Sequence, residues 1–113
     1  MAKDFTVVWS QDRGLRYTWI HNARMGFDSS DVLGKTDRDL LDEASAAKLE
    51  RIKRQVIQTG DAAYEVVVTE RGQDSEAYDL YVRPLRDAVG DIAGVVCLAV
   101  YVISDALGSP SRF

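Results

Sequence analysis

The chain opens with two runs of β-branched and aromatic residues, at positions 5–10 and 15–22. The polar residues 11–14 separate them and end in a glycine, which is a composition typical of a hairpin turn. The pattern therefore predicts two antiparallel strands at the start of the domain.

Short helical patterns follow the first hairpin. Ser29 or Ser30 is positioned to cap a single apolar turn that Gly34 ends. Thr36, followed three residues later by Asp39, resembles a capping box at the start of a second short helix. We therefore expect a group of short helices before the middle of the chain.

A longer helix is predicted at residues 42–59. Leu49, Ile52 and Val56 fall on one stripe, acidic residues occupy the first turn, and Gly60 ends the pattern. Basic residues fill much of the remaining surface, namely Lys48, Arg51, Lys53 and Arg54. This helix is expected to bury its apolar stripe and to expose its lysines and arginines.

Three further β segments, at residues 62–70, 76–85 and 91–103, are separated by polar turns that contain glycine. They predict a meander, and the first hairpin can complete one sheet by pairing with the last strand. The fold class is therefore α+β: a five-stranded antiparallel sheet with short helices and one longer helix on one face. We assign residues 1–105 to a single domain and residues 106–113 to a tail or linker.

The composition is that of a globular protein with its own core, because 46% of the residues are hydrophobic and 28% are charged. Acidic residues outnumber basic ones by 18 to 14, and the net charge of −4 disfavours nucleic acid as a partner. The one cysteine, Cys97, cannot form an intramolecular disulfide, and no apolar run is long enough to span a bilayer. These features favour a cytoplasmic location without membrane insertion.

The chain offers one histidine, His21, and one cysteine, Cys97, for catalysis. A Cys–His pair would need both, but Cys97 lies in an apolar run that favours a buried and inert thiol. His21 is more typical of a hydrogen-bonded strand terminus than of a ligand, with a pH-sensing role as the alternative. The acidic residues within 37–43 lack the spacing of a calcium loop and suit helix starts. We therefore predict neither a catalytic residue nor a metal site.

Four segments together resemble a PAS domain: residues 12–22, 26–41, 56–68 and 78–100. They are similar to the family's second strand with its terminal asparagine, its Leu-Gly helical segment, its Thr-Gly helix–strand junction and its last hairpin. Their sequence is most similar to PAS domains that precede bacterial sensor histidine kinases, particularly those of the HWE type. One departure is Val102, which stands where PAS domains commonly carry an aspartate that tethers the last strand to the outgoing signalling helix.

The resemblance implies a non-catalytic sensory and dimerisation module that regulates a downstream output. The expected output is a histidine kinase of a two-component system in the same chain, so the full-length parent is expected to be a protein-histidine kinase. The expected assembly is a homodimer. Two alternatives stay open, a ligand-free PAS scaffold for protein interaction and a small cystatin-like α+β enzyme.

The resemblance also allows the family's cofactors to be compared with this chain. Haem-binding relatives usually take a histidine from the long helix, and residues 42–59 contain none. Flavin-binding relatives carry a reactive cysteine in the segment that corresponds to residues 34–41, which contains none. We therefore predict neither haem nor flavin, and an unidentified small organic ligand stays open.

Strand alternation and the helical stripe together give two sets of candidate residues. The candidate ligand pocket consists of Tyr17, Trp19, His21, Asn22, Leu33, Leu40, Leu49, Ile52, Val56, Tyr78, Leu80, Val96 and Leu98. The candidate interface on the opposite face of the sheet consists of Val67, Val95, Cys97, Ala99 and Tyr101. A one-residue error in strand parity would exchange the sheet members of the two sets.

Overall fold

A computed structural model of the chain describes residues 2–22 and 28–104. Its elements are β1 (Ala2–Asp12), β2 (Tyr17–His21), α1 (Ser29–Val32), α2 (Asp37–Leu40), α3 (Glu43–Thr59), β3 (Ala63–Arg71), β4 (Asp74–Arg86) and β5 (Ile92–Ser104). The strands form one antiparallel sheet in the order β2-β1-β5-β4-β3, and the helices pack on one of its faces. The predicted α+β class and the pairing of the first hairpin with the last strand are confirmed. The tail predicted at residues 106–113 lies outside the described residues.

The helix α3 begins and ends where its local sequence predicts. Asp42 is its N-cap, and its C-cap is Gly60, whose φ of 78° is a left-handed conformation that favours glycine. Leu49, Ile52 and Val56 are buried as the apolar stripe predicts. Nowhere in the described part of the chain is a helix long and apolar enough to cross a membrane.

The short helices also start at capping residues. The N-cap of α1 is Asp28, which directly precedes the two predicted candidates, Ser29 and Ser30. The N-cap of α2 is Thr36, as predicted, and its backbone N–H donates to Asp39 Oδ2 at 3.0 Å. Hydrogen bonds from the backbone and the hydroxyl of Thr36 lower the pKa of the Asp39 carboxyl. Each short helix is thus fixed by side chains at its own first turn.

A bulge in the first hairpin reverses the strand parity expected for β2. Gln11 pairs with Tyr17, and the preceding residue of β1 pairs with Trp19, which leaves Thr18 without an opposite residue. Tyr17 consequently lies on the face that packs against the helices, here called the helix face. Trp19 and His21 lie on the other face, here called the outer face, where Trp19 is 52% exposed. An extra residue in one strand moves the later side chains to the opposite face.

The parity predicted for the last three strands is wrong at β3 and β5. The predicted interface residues are buried on the helix face within this chain: Val67, Val95, Cys97, Ala99 and Tyr101. Val96 and Leu98, predicted to face a cavity, lie half-buried on the outer face. Because β5 is apolar at consecutive positions, its sequence has no polar side that could fix which residues point inward. The predicted interface is therefore replaced by an outer face of different composition.

The outer face still carries exposed apolar side chains, concentrated at its edges. They are Trp19 on β2, Tyr64, Val66 and Val68 on β3, and Tyr81 on β4. Tyr64 and Tyr81 are opposite each other, with ring centroids 4.8 Å apart. The group on β3 and β4 is an exposed apolar patch of the kind that is typical of interaction sites, and Trp19 lies apart from it at the opposite edge.

Candidate functional site

The structure separates the predicted pocket residues into two groups. Those that lie in the core between the sheet and the helices are Tyr17, Leu40, Leu49, Ile52, Val56, Tyr78 and Leu80. Those outside it are Trp19, His21, Asn22 and Leu33, which are exposed, and Val96 and Leu98 on the outer face. A ligand-binding role for the first group stays a prediction, whereas the second group does not line the interior.

A buried lysine stands at the centre of this interior. The Nζ atom of Lys53, on α3, lies 2.7 Å from Oδ2 of Asp37 at the start of α2, and both side chains are fully buried. The ammonium group also lies 5.4 Å from the ring centroid of Trp9 and 5.6 Å from that of Tyr17. Two charges in an apolar core are stable only when they are closely paired. The sheet and helices therefore enclose an ion pair beside two aromatic rings.

Asp37 joins this ion pair to the first hairpin. Its Oδ1 atom accepts a hydrogen bond from the Tyr17 hydroxyl at 2.8 Å, and its Oδ2 atom accepts a longer one from Gln11 Nε2 at 3.4 Å. Gln11 Nε2 also donates to a backbone carbonyl of the hairpin turn, and Gln11 Oε1 accepts from Trp9 Nε1 at 2.9 Å. We name these five side chains, Trp9, Gln11, Tyr17, Asp37 and Lys53, the buried polar cluster. It connects α2, α3, β1 and β2 through hydrogen bonds.

The hydrogen-bond capacity of the cluster is not fully used. Burial, followed by the charge of Asp37, raises the pKa of Tyr17, so its hydroxyl stays protonated and donates. A lysine ammonium has three N–H donors, yet Asp37 is the one acceptor that Lys53 meets among the described residues. A buried donor without an acceptor costs free energy. A molecule that brought an acceptor to Lys53 would therefore gain a charge-assisted hydrogen bond.

Sequence reasoning missed the buried polar cluster, although one feature of the sequence indicates it. Lys53 was expected to be exposed, yet it lies four residues after Leu49 and three before Val56, within the apolar stripe of α3. Gln11 was assigned to the hairpin turn, but it belongs to β1 and is fully buried. Asp37 was interpreted as a helix-start acid. The position of the charged Lys53 within the apolar stripe of α3 is the feature of the sequence that indicates a buried ion pair.

The two residues considered for nucleophilic catalysis do not meet. Cys97 is buried on the helix face, and burial raises the pKa of its thiol to about 12. His21 ends β2 on the outer face, where its ring stacks on Trp19 with centroids 6.5 Å apart. A protonated, buried thiol is a poor nucleophile, and no Cys–His pair exists here to activate it.

An open cleft at one end of the sheet is a weaker candidate site. It lies between the β1–β2 turn, Ile57 of α3 and the β4–β5 turn. Arg13 Nη1 donates to the carbonyl of Ile92 at 2.7 Å, and Arg86 Nη1 donates to that of Gly90 at 2.9 Å. These groups hold the turns in place, and the cleft lacks the enclosed apolar walls typical of small-molecule sites.

Comparisons with known proteins agree with this geometry. The chain is 31% identical to histidine kinase 5 of Arabidopsis thaliana. The matched region covers 79% of this chain and 10% of the kinase. A sensory box sensor histidine kinase structure from Vibrio cholerae matches with a TM-score of 0.69 and 19% identity, covering 88% of this chain and 83% of that one.

Two structures of the protein VqmA also have the same fold. VqmA bound to DPO matches with a TM-score of 0.75 and 22% identity, covering 84% of this chain and 51% of that one. The Vibrio cholerae VqmA dimer matches with a TM-score of 0.76 and 21% identity, covering 89% of this chain and 47% of that one.

The chain spans about a tenth of the length of the curated kinases that it matches. The family model described as the PAS fold matches residues 2–104, which includes every helix and strand of the described residues. The chain therefore belongs to the PAS family of sensory domains.

Proposed function

We propose that this chain is the sensory and dimerisation module of a longer signalling protein whose output is a histidine kinase in two-component signal transduction. The observation that carries the proposal is the buried polar cluster, which lies inside a PAS fold and connects four elements through one carboxylate. The named kinase relative supports the kinase output. The dimer, the bacterial HWE type and the cytoplasmic location are parts of the same proposal.

The proposed ligand is a small organic molecule with a hydrogen-bond acceptor, bound beside Lys53. The ammonium group has donors that no described residue accepts, and the rings of Trp9 and Tyr17 offer apolar surface next to it. The structure of VqmA bound to DPO supports a small molecule as the ligand class. Haem and flavin are not part of the proposal, because the chain lacks the histidine and the cysteine that those relatives use.

Binding would act through the contacts of Asp37. A ligand acceptor on one of the unused donors draws the Lys53 ammonium away from Asp37 and so weakens the bond between α2 and α3, whereas the Tyr17 hydroxyl still holds Asp37 to β2. Such a ligand shifts the balance between two arrangements of α2 by its difference in affinity for them. The effect of Val102 on the outgoing signal stays a prediction, since its side chain lies outside the described residues.

The proposal is tested by ligand binding to three purified proteins: the wild type, Lys53→Met and Lys35→Met. DPO and a panel of small organic molecules that carry a hydrogen-bond acceptor are screened by the shift of the melting temperature and by tryptophan fluorescence. We expect at least one compound to stabilise the wild type and Lys35→Met but not Lys53→Met. Lys35 is an exposed lysine, so its replacement controls for the loss of a charge.

Two results would contradict the ligand proposal. One is a compound that stabilises Lys53→Met as much as the wild type, since binding would then be independent of the buried ammonium. The other is a wild-type protein that none of these compounds stabilises and that releases no small molecule on denaturation. The kinase output is tested separately, by the autophosphorylation rate of the full-length parent with and without Lys53→Met.

The second candidate function is a ligand-free scaffold for protein interaction. Both side-chain oxygens of Asp37 and both polar side-chain atoms of Gln11 already have hydrogen-bond partners, which favours a packed interior. A negative ligand screen with an intact dimer supports this candidate. The cystatin-like enzyme is not proposed, because the chain belongs to the PAS family and Cys97 and His21 lie on opposite faces of the sheet.

A further inference from the structure

The turn between β1 and β2 contains a residue in an unfavourable backbone conformation. Leu15 has a φ of 63°, and its side chain is fully buried. Asn22 is the other non-glycine residue of the described chain with a positive φ, and asparagine tolerates the left-handed region better than leucine does. A strained conformation of this kind persists where the surrounding structure holds it in place. The contacts of Leu15 therefore determine whether the turn keeps its shape.

Hydrogen bonds fix the backbone of Leu15 on both sides. Its N–H donates to the carbonyl of Asp12 at 2.8 Å, and its carbonyl accepts from Gln11 Nε2 at 2.8 Å. Asp12 Oδ1 also accepts from the N–H groups of Gly14 and Arg16, at 2.9 and 3.0 Å. The bonds to Asp12 lie within the turn itself, whereas the bond from Gln11 comes from the buried polar cluster. The interior of the domain therefore contributes to holding Leu15 in its strained conformation.

Gln11 connects Leu15 to the buried ion pair. Its side-chain amide has two N–H donors, and Nε2 lies 2.8 Å from the Leu15 carbonyl oxygen and 3.4 Å from Asp37 Oδ2. The same Asp37 oxygen accepts from Lys53 Nζ at 2.7 Å. A donor–acceptor distance of 3.4 Å is long for a hydrogen bond. Lys53 thus holds Asp37 Oδ2 by the short bond, and Gln11 keeps its short bond for Leu15.

We propose that the β1–β2 turn has a second, relaxed arrangement, and that the Lys53 site controls which of the two arrangements is populated. A ligand that draws Lys53 away from Asp37 leaves Oδ2 with Gln11 as its donor. The Gln11 amide then moves toward the carboxylate, because a bond to a charged acceptor is stronger than a bond to a neutral carbonyl. Its bond to the Leu15 carbonyl is lost, and Leu15 leaves the left-handed region.

The relaxed turn changes the surface at one end of the sheet. Arg13 is exposed in the turn, and its Nη1 donates to the carbonyl of Ile92, at the start of β5, at 2.7 Å. Movement of the turn breaks this bond and releases the guanidinium group. The opposite end of the same two strands is where Ala2 pairs with Ser104. Occupancy of the buried site is therefore communicated to a surface distant from the start of β1 and the end of β5.

This inference deepens the regulation of the proposed ligand site and takes its trigger from that proposal. The link from Lys53 through Gln11 to the turn can nevertheless be tested without a ligand. Lys53→Met removes the ammonium group, so Asp37 Oδ2 loses its cation as it would when a ligand draws Lys53 away.

The test is limited digestion of the folded protein by trypsin, with the fragments identified by mass spectrometry. Cleavage after Arg13 measures opening of the β1–β2 turn, and cleavage after Arg71, beside the β3–β4 turn, is the internal reference. We expect Lys53→Met to raise the ratio of the two rates about threefold to tenfold, which corresponds to the loss of one hydrogen bond. The exposed control Lys35→Met leaves the ratio unchanged.

A double-variant cycle tests whether Lys53 acts through Gln11. Gln11→Met removes the bond to the Leu15 carbonyl and should itself raise the ratio. Gln11→Met combined with Lys53→Met should raise it no further than Gln11→Met alone, because the second substitution then has no amide to move. A ratio that Lys53→Met leaves at the wild-type value overturns the inference, and so do effects of the two substitutions that multiply.

Circular dichroism establishes that each variant is folded under the conditions of digestion. If Lys53→Met does not fold, Lys53→Gln replaces it, because a neutral amide gives Asp37 a weaker donor and should raise the ratio in the same direction by a smaller factor. The cleavage ratios need no ligand. A failed ligand screen therefore contradicts the proposed function alone, whereas unchanged ratios contradict the linkage to the turn alone.

Discussion

At the scale of single residues, the most unusual feature is Lys53, whose ammonium group is buried with Asp37 as its ionic partner. Buried ion pairs add little stability when they are compared with apolar residues of similar size, but an unpaired partner is costly. The pair is therefore expected to specify how α2 and α3 pack rather than to increase the overall free energy of unfolding.

Lys53→Met is expected to lower the free energy of unfolding by about 3–5 kcal/mol, because the Asp37 carboxylate stays buried without its cation. The exposed Lys35→Met should change it by less than about 0.5 kcal/mol. Urea unfolding followed by tryptophan fluorescence measures both values. Removing Asp37 as well, in Asp37→Asn with Lys53→Met, should cost less than the sum of the single changes. Additive costs would contradict the coupling of the two side chains.

At the scale of elements, the close approach of β1 and β5 depends on a glycine. Gly94 of β5 pairs with Asp12, and a Cβ atom placed there would lie 1.9 Å from the carbonyl oxygen of Gln11. The same strand segment carries the Gln11 side chain into the buried polar cluster. Gly94 therefore sets both the local distance between β1 and β5 and the position of Gln11 in the buried polar cluster.

Gly94→Ala is expected to lower the free energy of unfolding by about 1–3 kcal/mol, because the added methyl group must displace the backbone of β1. The matched control is Gly14→Ala in the first turn, where the nearest atom to an added Cβ is Asp12 Oδ1 at 3.4 Å. The control should change stability by less than about 0.5 kcal/mol. Urea midpoints compare the two variants, and equal midpoints would contradict the steric argument.

The helices and strands differ in how far the sequence predicts them. The bounds of α3 were predictable because Asp42 and Gly60 mark its ends chemically. The faces of β2 and β5 were not, for two different physical reasons. A bulge at Thr18 depends on pairing with another strand, which no local pattern records. In β5 both faces are apolar, so alternation gives no direction, and the predicted interface residues Cys97 and Ala99 proved to be core.

At the scale of the whole molecule, the interior holds three weak acids whose pKa values are raised by burial. They are Tyr17, Tyr78 and Cys97, and for Cys97 the pKa reaches about 12. The neutral forms are the stable ones in the folded protein. In the unfolded chain the same groups lose their protons at lower pH, because their pKa values there are the ordinary ones. Stability from this source is complete at low pH and is lost as pH rises.

The urea midpoint should therefore fall as pH rises above about 8.5, the ordinary pKa of a thiol, and more steeply above about 10, that of a phenol. The variant Cys97→Ala should lose the part of the decline that begins with the thiol and keep the part that begins with the phenols. Midpoints measured between neutral and strongly alkaline pH provide the test. A wild-type midpoint that is constant across this range would contradict the effect of burial on these groups.

The pairing of β1 with β5 extends from Asp12 opposite Gly94 to Ala2 opposite Ser104. The start of β1 and the end of β5 therefore lie side by side in the sheet, although they are far apart along the chain. Any polypeptide joined before Ala2 and any joined after Ser104 must leave from neighbouring points. The domain can therefore be inserted into a loop of a longer chain, because its two ends lie close together. The same proximity favours circular permutation, in which a short linker joins the end of β5 to the start of β1.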